Sequence, residues 1–382
     1  MKLIRVRYYY LWLFVLCYLM YPGIDANNLL KKKIGTGMLK KVLITGGCGF
    51  LGSHVCEYYA RQGAQVISYD NMTKYELERT GFAAEQARNY NWNYLNSLGV
   101  NLVKADVRNF EELLDHASGC DYIIHTAAQP AMTISWEDPR LDFTSNVLGT
   151  FNVLEASRRL KVPVACCATI HIYGNKINDT LKESEKKYVR EPAAIDEDYR
   201  TLQGTLTPLH ASKAAGDIYV RVYIDTYQLE AASFRLTGIY GTRQFGGEDH
   251  GWVANFAIRS VLDWPITIFG TGKQVRDIIY AADICEAFNA FYKTRRAGIY
   301  NIGGGTRTAI SLLECIDIIE KINGRRPSVQ FAPDRHGDLH YFICDISRAQ
   351  RDIGWTPRIM PEEGIERLMT WIGDNKAIFN KK

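Results

Sequence analysis

The stretch Val42-Leu43-Ile44-Thr45-Gly46-Gly47-Cys48-Gly49-Phe50-Leu51-Gly52 is followed, eighteen residues after its last glycine, by Asp70. Val42, Leu43 and Ile44 form a short apolar run of the kind that makes a strand buried on both faces. Gly46, Gly49 and Gly52 stand at the spacing G-x-x-G-x-x-G. The first permits a tight turn, the second lets backbone amides approach a pyrophosphate, and the third lets the next helix pack close against the sheet. Ser53 to Gln62 is helix-like, so its N-terminus points free amides at the phosphates, with contacts expected along Gly46, Gly49, Phe50, Leu51 and Gly52. Gln65 to Tyr69 predicts a second strand ending at Asp70. A carboxylate there accepts both ribose hydroxyls of an adenosine and repels a 2′-phosphate, which favours NAD over NADP. Strand, glycines, helix, second strand and acid arrive in the order the motif requires.

Working outward, the 382 residues carry a formal net charge of +4 and are 47% hydrophobic, enough for a sizeable core. The charge is uneven. Residues 1–37 hold Lys2, Arg5, Arg7, Lys31, Lys32 and Lys33 against Asp25, a net +5, so the remainder sums to −1. That balance excludes a basic nucleic-acid binder. Nine cysteines with no C-x-x-C pair fit neither a disulfide framework nor a zinc site, and no metal is expected. They read as buried thiols of a reducing compartment.

Lys2, Arg5 and Arg7 precede an almost wholly apolar run from Tyr8 to Tyr21, which has the look of a signal peptide or short anchor. At about 14 residues it is shorter than the ~20 a bilayer span needs. Met38 lies directly before Leu39-Lys40-Lys41-Val42. The favoured reading is a leader or over-extended N-terminus on a cytoplasmic protein, since an exported dinucleotide-dependent enzyme would lose its cofactor supply. Membrane contact through residues 1–21, or export, stays open.

From residue 40 onward strand and helix patterns alternate. Strands are expected at 100–104, 121–125 and 162–168, and helices near 110–117, 142–160 and 209–227. The fold class is therefore α/β, a Rossmann-like doubly wound parallel sheet with a smaller C-terminal substrate-binding lobe. The expected division is 1–37 leader, 38–240 dinucleotide-binding domain, and 241–382 mainly substrate lobe, some segments returning to the sheet. The polar stretch 176–208 reads as a loop beside the site.

Asp106-Val107-Arg108, His125-Thr126-Ala127-Ala128-Gln129, Thr169-Ile170-His171-Ile172-Tyr173-Gly174, Lys213 and Arg276-Asp277 then accumulate downstream. Together these resemble the extended short-chain dehydrogenases/reductases that act on nucleotide sugars, over about residues 38–373. Within that family the segment Tyr240 to Val253, with Gln129 to Thr133, Gly272 to Asp277 and Asp334 to Asp338, looks most like the CDP-tyvelose (CDP-paratose) 2-epimerase group. The resemblance implies transient oxidation at a ring carbon, C2 in this group, followed by re-reduction on the other face with no net consumption of NAD. It also implies cofactor contacts at Asn71, Asp106, Val107, Ala127, Ala128 and Lys213. Substrate contacts would fall at Gln129, Thr133, Arg243, Gln244, Arg276 and Arg335. Trp252 and Phe256 would flank the base, and Asn146 would bridge helix and sheet. Homodimerisation would run through the helices near 142–160 and 209–227.

One departure stands out. The family base is a tyrosine one helical turn before a lysine, Y-x-x-x-K, assisted by a Ser or Thr on the fifth strand. Lys213 and Thr169 match, but the tyrosine position is Leu209, in Thr207-Pro208-Leu209-His210-Ala211-Ser212-Lys213. Leucine exchanges no proton, and losing a general acid–base typically costs about 10²–10⁴ in rate. His171 and His210 are candidate replacements, with Lys213 acting through water as a third. Tyr173 reads as structural. The alternatives are another nucleotide-sugar reaction, such as 4-epimerisation, dehydration or net oxidation, or an NAD-binding regulatory protein without catalysis.

Overall fold

The structure, a computed structural model, describes residues 39–379 apart from 74–76, 78–79 and 81–83. The leader reading of residues 1–37 lies outside the described residues. Seven strands make one parallel sheet. The first five along the chain are β1 (Lys41–Thr45), β2 (Gln65–Asp70), β3 (Asn101–Lys104), β4 (Tyr122–His125) and β5 (Val164–Thr169). The order across the sheet is β3, β2, β1, β4, β5, then Ala231–Leu236 and Gly298–Ile302. β1 pairs with β2 (Val42 opposite Val66) and with β4 (Val42 opposite Tyr122), so the order reverses between β1 and β4. A crevice opens at that reversal, beyond the strands' C-terminal ends.

The period of two along the strands divides the core. Val42 and Ile44 pack with Tyr122, Phe234, Phe288 and Phe291 on one face. Leu43 and Ile123 pack with Val153, Leu154 and Val164 on the other. Both faces are covered by helices, which is why β1 is apolar throughout rather than alternating.

The rest of the chain folds over the C-terminal edge. Gly238–Tyr240 pairs with Val275–Tyr280, which also pairs with Ala309–Ser311 and Tyr341–Phe342. Ile266–Phe269 pairs with Val329–Ala332. The helices Trp252–Val261, Leu312–Asn323 and Pro361–Asp374 bury Val253, Ala257, Ile316, Leu368 and Ile372 against these strands. Gly298–Ile302 returns to the main sheet beside Ala231–Leu236, so the two layers are interleaved in sequence.

The helix expected at 142–160 is not uniform. An α-turn at Pro139–Phe143 leads into a π-helical turn at Thr144–Leu148 and then the helix Gly149–Leu160. The wider turn carries Asn146, whose side chain is drawn into the loop after β4; such π turns recur at functional sites. The polar stretch at 176–208 holds a short 3₁₀ turn and the two-stranded hairpin Lys182–Glu183 with Tyr188–Val189 rather than loop alone. Eight cysteines are free and none is disulfide-bonded among the described residues. No described helix is long and apolar enough to cross a membrane, and no described cluster of side chains could hold a metal ion.

Candidate functional site

At the crevice the glycine run makes its turn. Gly46 has φ +68°, and a Cβ there would sit 2.6 Å from the Ala127 amide nitrogen. A Cβ on Gly52 would fall 2.1 Å from the Gly46 carbonyl oxygen, so the helix Phe50–Arg61 approaches the loop as only glycine permits. Gly49 caps that helix without a side-chain acceptor, which leaves the first-turn amides of Phe50 and Leu51 pointing into the crevice with no intrahelical partner.

Asp70 ends β2 as expected. Its Oδ2 accepts from the Cys48 amide at 2.9 Å and its Oδ1 from the Met72 amide at 2.7 Å. Each carboxylate oxygen keeps capacity for a further donor. Asn71 donates to Asp106 Oδ2 at 2.9 Å, and Arg108 grips the same carboxylate at 2.6 Å. Burial opposes ionisation of Asp106, but the bonds from Arg108 and Asn71 outweigh it and hold the group at about 2. Asn91 was not singled out in the sequence. From the helix Ala84–Ser97 it donates to the carbonyls of Cys48 and Gly49 and pins the loop, a role that a lone polar residue in a helical pattern does not announce.

A cavity of about 790 Å³ runs from this loop across the sheet edge into the second lobe. Its wall includes Gly46, Gly49, Phe50, Leu51, Gly52, Asp70, Asn71, Asp106, Val107, Ala127 and Ala128, then Gln129, Thr133, Thr169, His171, Leu209 and Lys213. Farther along come Arg243, Gln244, Trp252, Phe256, Arg276 and Arg335. The structure thus brings every candidate cofactor, substrate and catalytic residue to one cavity except His210.

At the middle of the cavity, Thr169 ends β5 and caps the 3₁₀ turn Ile170–Tyr173, accepting from the His171 amide at 3.3 Å. The Pro208–Tyr227 helix presents Leu209 and, one turn on, Lys213. Burial pulls the Lys213 ammonium below its usual range, while Cys167 and Asp142 act the other way. Among the described residues no side-chain hydrogen bond or ion pair engages the Lys213 ammonium, whereas most other polar side chains here are committed. His210 lies outside the cavity wall: it is the third residue of a capping box, its Nδ1 meeting the Thr207 amide at 3.1 Å and the Thr207 hydroxyl at 2.7 Å. The helix turn of about 100° per residue separates it from Leu209. Tyr173 is also off the wall and donates to Asn301 at 2.8 Å.

The substrate-side candidates divide. Gln129 is held by its own neighbours: Nε2 donates to Asp142 at 3.0 Å, and Oε1 accepts from the Ala131 amide at 2.5 Å. Asn146 accepts from the Gln129 amide and donates to its carbonyl, and it also reaches Asp142 and Ser212, so helix and post-β4 loop are tied together. Arg243 lines the cavity but is engaged by protein groups. Its guanidinium pairs with Glu57 at 2.7 Å and lies over the Tyr94 ring, on a backbone with a positive φ of 61°. Gln244 donates to the Ile239 carbonyl at 3.2 Å and leaves Oε1 buried without a partner among the described residues. Arg276 donates to the carbonyls of Val275 and Leu339 and faces Asp338 at 3.8 Å. Arg335 stacks over Phe269 and faces Asp249 at 3.8 Å; Thr133 donates to the same Asp249 at 3.1 Å. Asp249 therefore links the two sides of the cavity, though nothing in its sequence position distinguished it from neighbouring acids.

A family model described as the NAD dependent epimerase/dehydratase family matches residues 42–303. The CDP-paratose 2-epimerase of Salmonella typhi is 33% identical over 346 residues, covering 87% of this chain and 98% of that protein. A putative UDP-glucose 4-epimerase of Methanocaldococcus jannaschii is 31% identical over 338 residues, 87% of this chain and 99% of that protein. Among solved structures, the Thermus thermophilus UDP-glucose 4-epimerase complex with NAD matches with a TM-score of 0.70 at 32% identity, covering 87% of this chain and 98% of its own. The UDP-glucuronic acid 4-epimerase from Bacillus cereus, in complex with UDP-glucuronic acid and NAD, matches with a TM-score of 0.73 at 26% identity, covering 88% and 99%.

Proposed function

The chain belongs to the NAD-dependent epimerase/dehydratase family with NAD as its cofactor, and within that family we propose that it epimerises a CDP-linked hexose at C2. The observation that carries this reading is the continuous cavity, which joins a dinucleotide-type glycine loop to the arginines of the second lobe. Two ligands placed end to end, cofactor and nucleotide sugar, would share its middle. Identity of 33% across nearly the whole CDP-paratose 2-epimerase supports the choice of CDP and C2.

NAD fits the residues present: Gly46 and Gly52 leave the backbone approach that a Cβ would fill, and Asp70 stands at the end of β2. When bound, it supplies the acceptor, and later the donor, of the hydrogen that leaves the sugar carbon with its electron pair. The chain's own groups do the rest. The first-turn amides of Phe50 and Leu51 hold the pyrophosphate, and Asp70 accepts the adenosine ribose hydroxyls. Lys213 holds the second ribose and keeps positive charge beside the reacting oxygen. The Thr169 hydroxyl hydrogen-bonds that oxygen. Arg276 and Arg335 face the substrate's diphosphate, for which a guanidinium's paired donors are suited.

The test uses the full chain with NAD⁺ and, in separate reactions, CDP-paratose and CDP-glucose, following sugar proton couplings by NMR and absorbance at 340 nm. Inversion at C2 with no net rise in absorbance is expected. Inversion at C4, loss of water or a stoichiometric rise in absorbance would replace the reaction. Leu209 favours one second reading, an NAD-binding protein without turnover; NAD binding with every sugar unchanged would select it.

A further inference from the structure

We infer that the imidazole of His171 is the group that takes the sugar hydroxyl proton and returns it, in the place where Leu209 offers none. This rests on the epimerase reading above. Removing a hydrogen with its electron pair from a carbinol carbon leaves a carbonyl only if the O–H proton departs too. In the forward step the O–H bond breaks and its proton goes to the ring, while the C–H electron pair goes to the cofactor. In the return step the carbon regains its hydrogen on the opposite face and the ring gives the proton back to oxygen. The ring ends each cycle neutral.

The protic side chains near the middle of the cavity are few, and most are engaged. His125 bonds through both nitrogens, to Thr45 and Thr150, and is not on the wall. His210 holds its cap. His250 bonds the Phe245 carbonyl through Nε2, and His336, also on the wall, stands beside Arg335 among the second-lobe residues rather than with Thr169 and Lys213. His171 differs: its ring lines the cavity two residues beyond Thr169, its Nδ1 is enclosed without a partner, and neither ring nitrogen bonds a protein group among the described residues. With Nδ1 enclosed, Nε2 is the nitrogen presented to the cavity. The His210 ring backs it edge to face at 5.9 Å, which fixes its plane from behind.

The electrostatics suit a ring that is neutral before substrate arrives. Burial lowers the His171 pKa most, then Arg276 and the neighbouring His210, to about 3. Arg276 faces the same cavity, so a diphosphate beside it offsets its charge and raises the ring's proton affinity when substrate binds. Burial, the larger cause, stays, so the ring is neutral at rest and its proton affinity moves upward from a low value.

The experiment compares wild type, His171→Ala, His171→Gln and the double variant His171→Ala/Leu209→Tyr, each assayed for CDP-paratose epimerisation and for NAD binding by equilibrium dialysis. Both single variants are expected to bind NAD like wild type and to lose about 10²–10⁴ in kcat. The double variant, with a phenol restored one turn before Lys213, is expected to recover at least about tenfold. In ¹⁵N-histidine-labelled wild type, the ring nitrogens absent from the His171→Gln spectrum should mark a neutral imidazole at pH 7 that shifts on adding CDP. Single variants within about threefold of wild type, in a chain that does turn over, overturn the role of His171 alone, as does a ring that ignores CDP. A wild type that leaves CDP-paratose and CDP-glucose unchanged overturns the epimerase reading, and this inference with it.

Discussion

Gly52 and Lys213 show how differently single residues can matter at one cavity. The Gly52 α-carbon faces the Gly46 carbonyl so closely that any Cβ must move backbone, not a flexible side chain. Gly52→Ala is expected to weaken NAD binding by at least about tenfold, since the loop and the helix start must part; equilibrium dialysis of the folded variant checks it. Lys213 carries charge that no described protein group neutralises by contact, and burial already pulls its ammonium below the usual range. Lys213→Gln keeps the length and removes the charge, so kcat should fall by about 10²-fold or more while the fold persists, read by turnover beside circular dichroism.

Among the elements, the π turn at Thr144–Leu148 is the clearest case of tertiary demand reshaping a helix. Its Asn146 satisfies both the amide and the carbonyl of Gln129 and reaches Asp142 and Ser212, joining the post-β4 loop to two helices. Asn146→Ala leaves buried partners unsatisfied at about 1–3 kcal/mol each, so chemical denaturation should show a loss of at least that size. The sequence placed β1, β2 and the glycine turn because all their constraints are local: apolar run, φ above zero, acid at the strand end. It also matched the helix Phe110–Ala117 to the residue. It did not show the π turn, because the i+4 pattern of the surrounding helix continues through it and only the distant Gln129 backbone demands the extra width. The partners of Arg243 were hidden for a similar reason: Glu57 and Tyr94, far away in sequence, engage its guanidinium.

For the whole molecule, two outcomes are expected. His54 and His125 are buried, and burial holds both at about 3, with Arg243 adding to the effect at His54 and Lys213 at His125. Unfolded histidines titrate near ~6.5, so between that value and about 3 the unfolded chain binds more protons than the native one. The contribution of these two histidines should therefore be flat above pH ~6.5 and fall below it, by up to ~1.4 kcal/mol per pH unit for each, while Asp277, which burial raises to about 6, opposes that fall below about 6. Urea unfolding at a series of pH values checks this, and His125→Gln should reduce the slope. The second outcome concerns assembly. Ile218 and Val222 are 55% and 43% exposed on the Pro208–Tyr227 helix, and Phe151 meets Tyr219 edge to face from the adjoining helix. An apolar strip of this kind is expected to pair with a second copy. Light scattering should report a dimer for wild type and a monomer for Ile218→Glu/Val222→Lys.

The order of residues along the chain was sufficient for the parallel α/β fold, the glycine turn and the preference for NAD, since these follow from periodicity, glycine conformation and one carboxylate at a strand end. It was sufficient too for the absence of a tyrosine before Lys213, which is a matter of identity alone. Which histidine faces the cavity was beyond it. His171 and His210 are both polar, both near the gap and equivalent candidates in the linear chain. They part only because the N-cap of a helix takes His210's ring nitrogen, while the end of β5 turns His171 onto the open wall. Hydrogen-bond partners are assigned by packing across long separations in sequence, and that assignment decides which protic groups remain free to act.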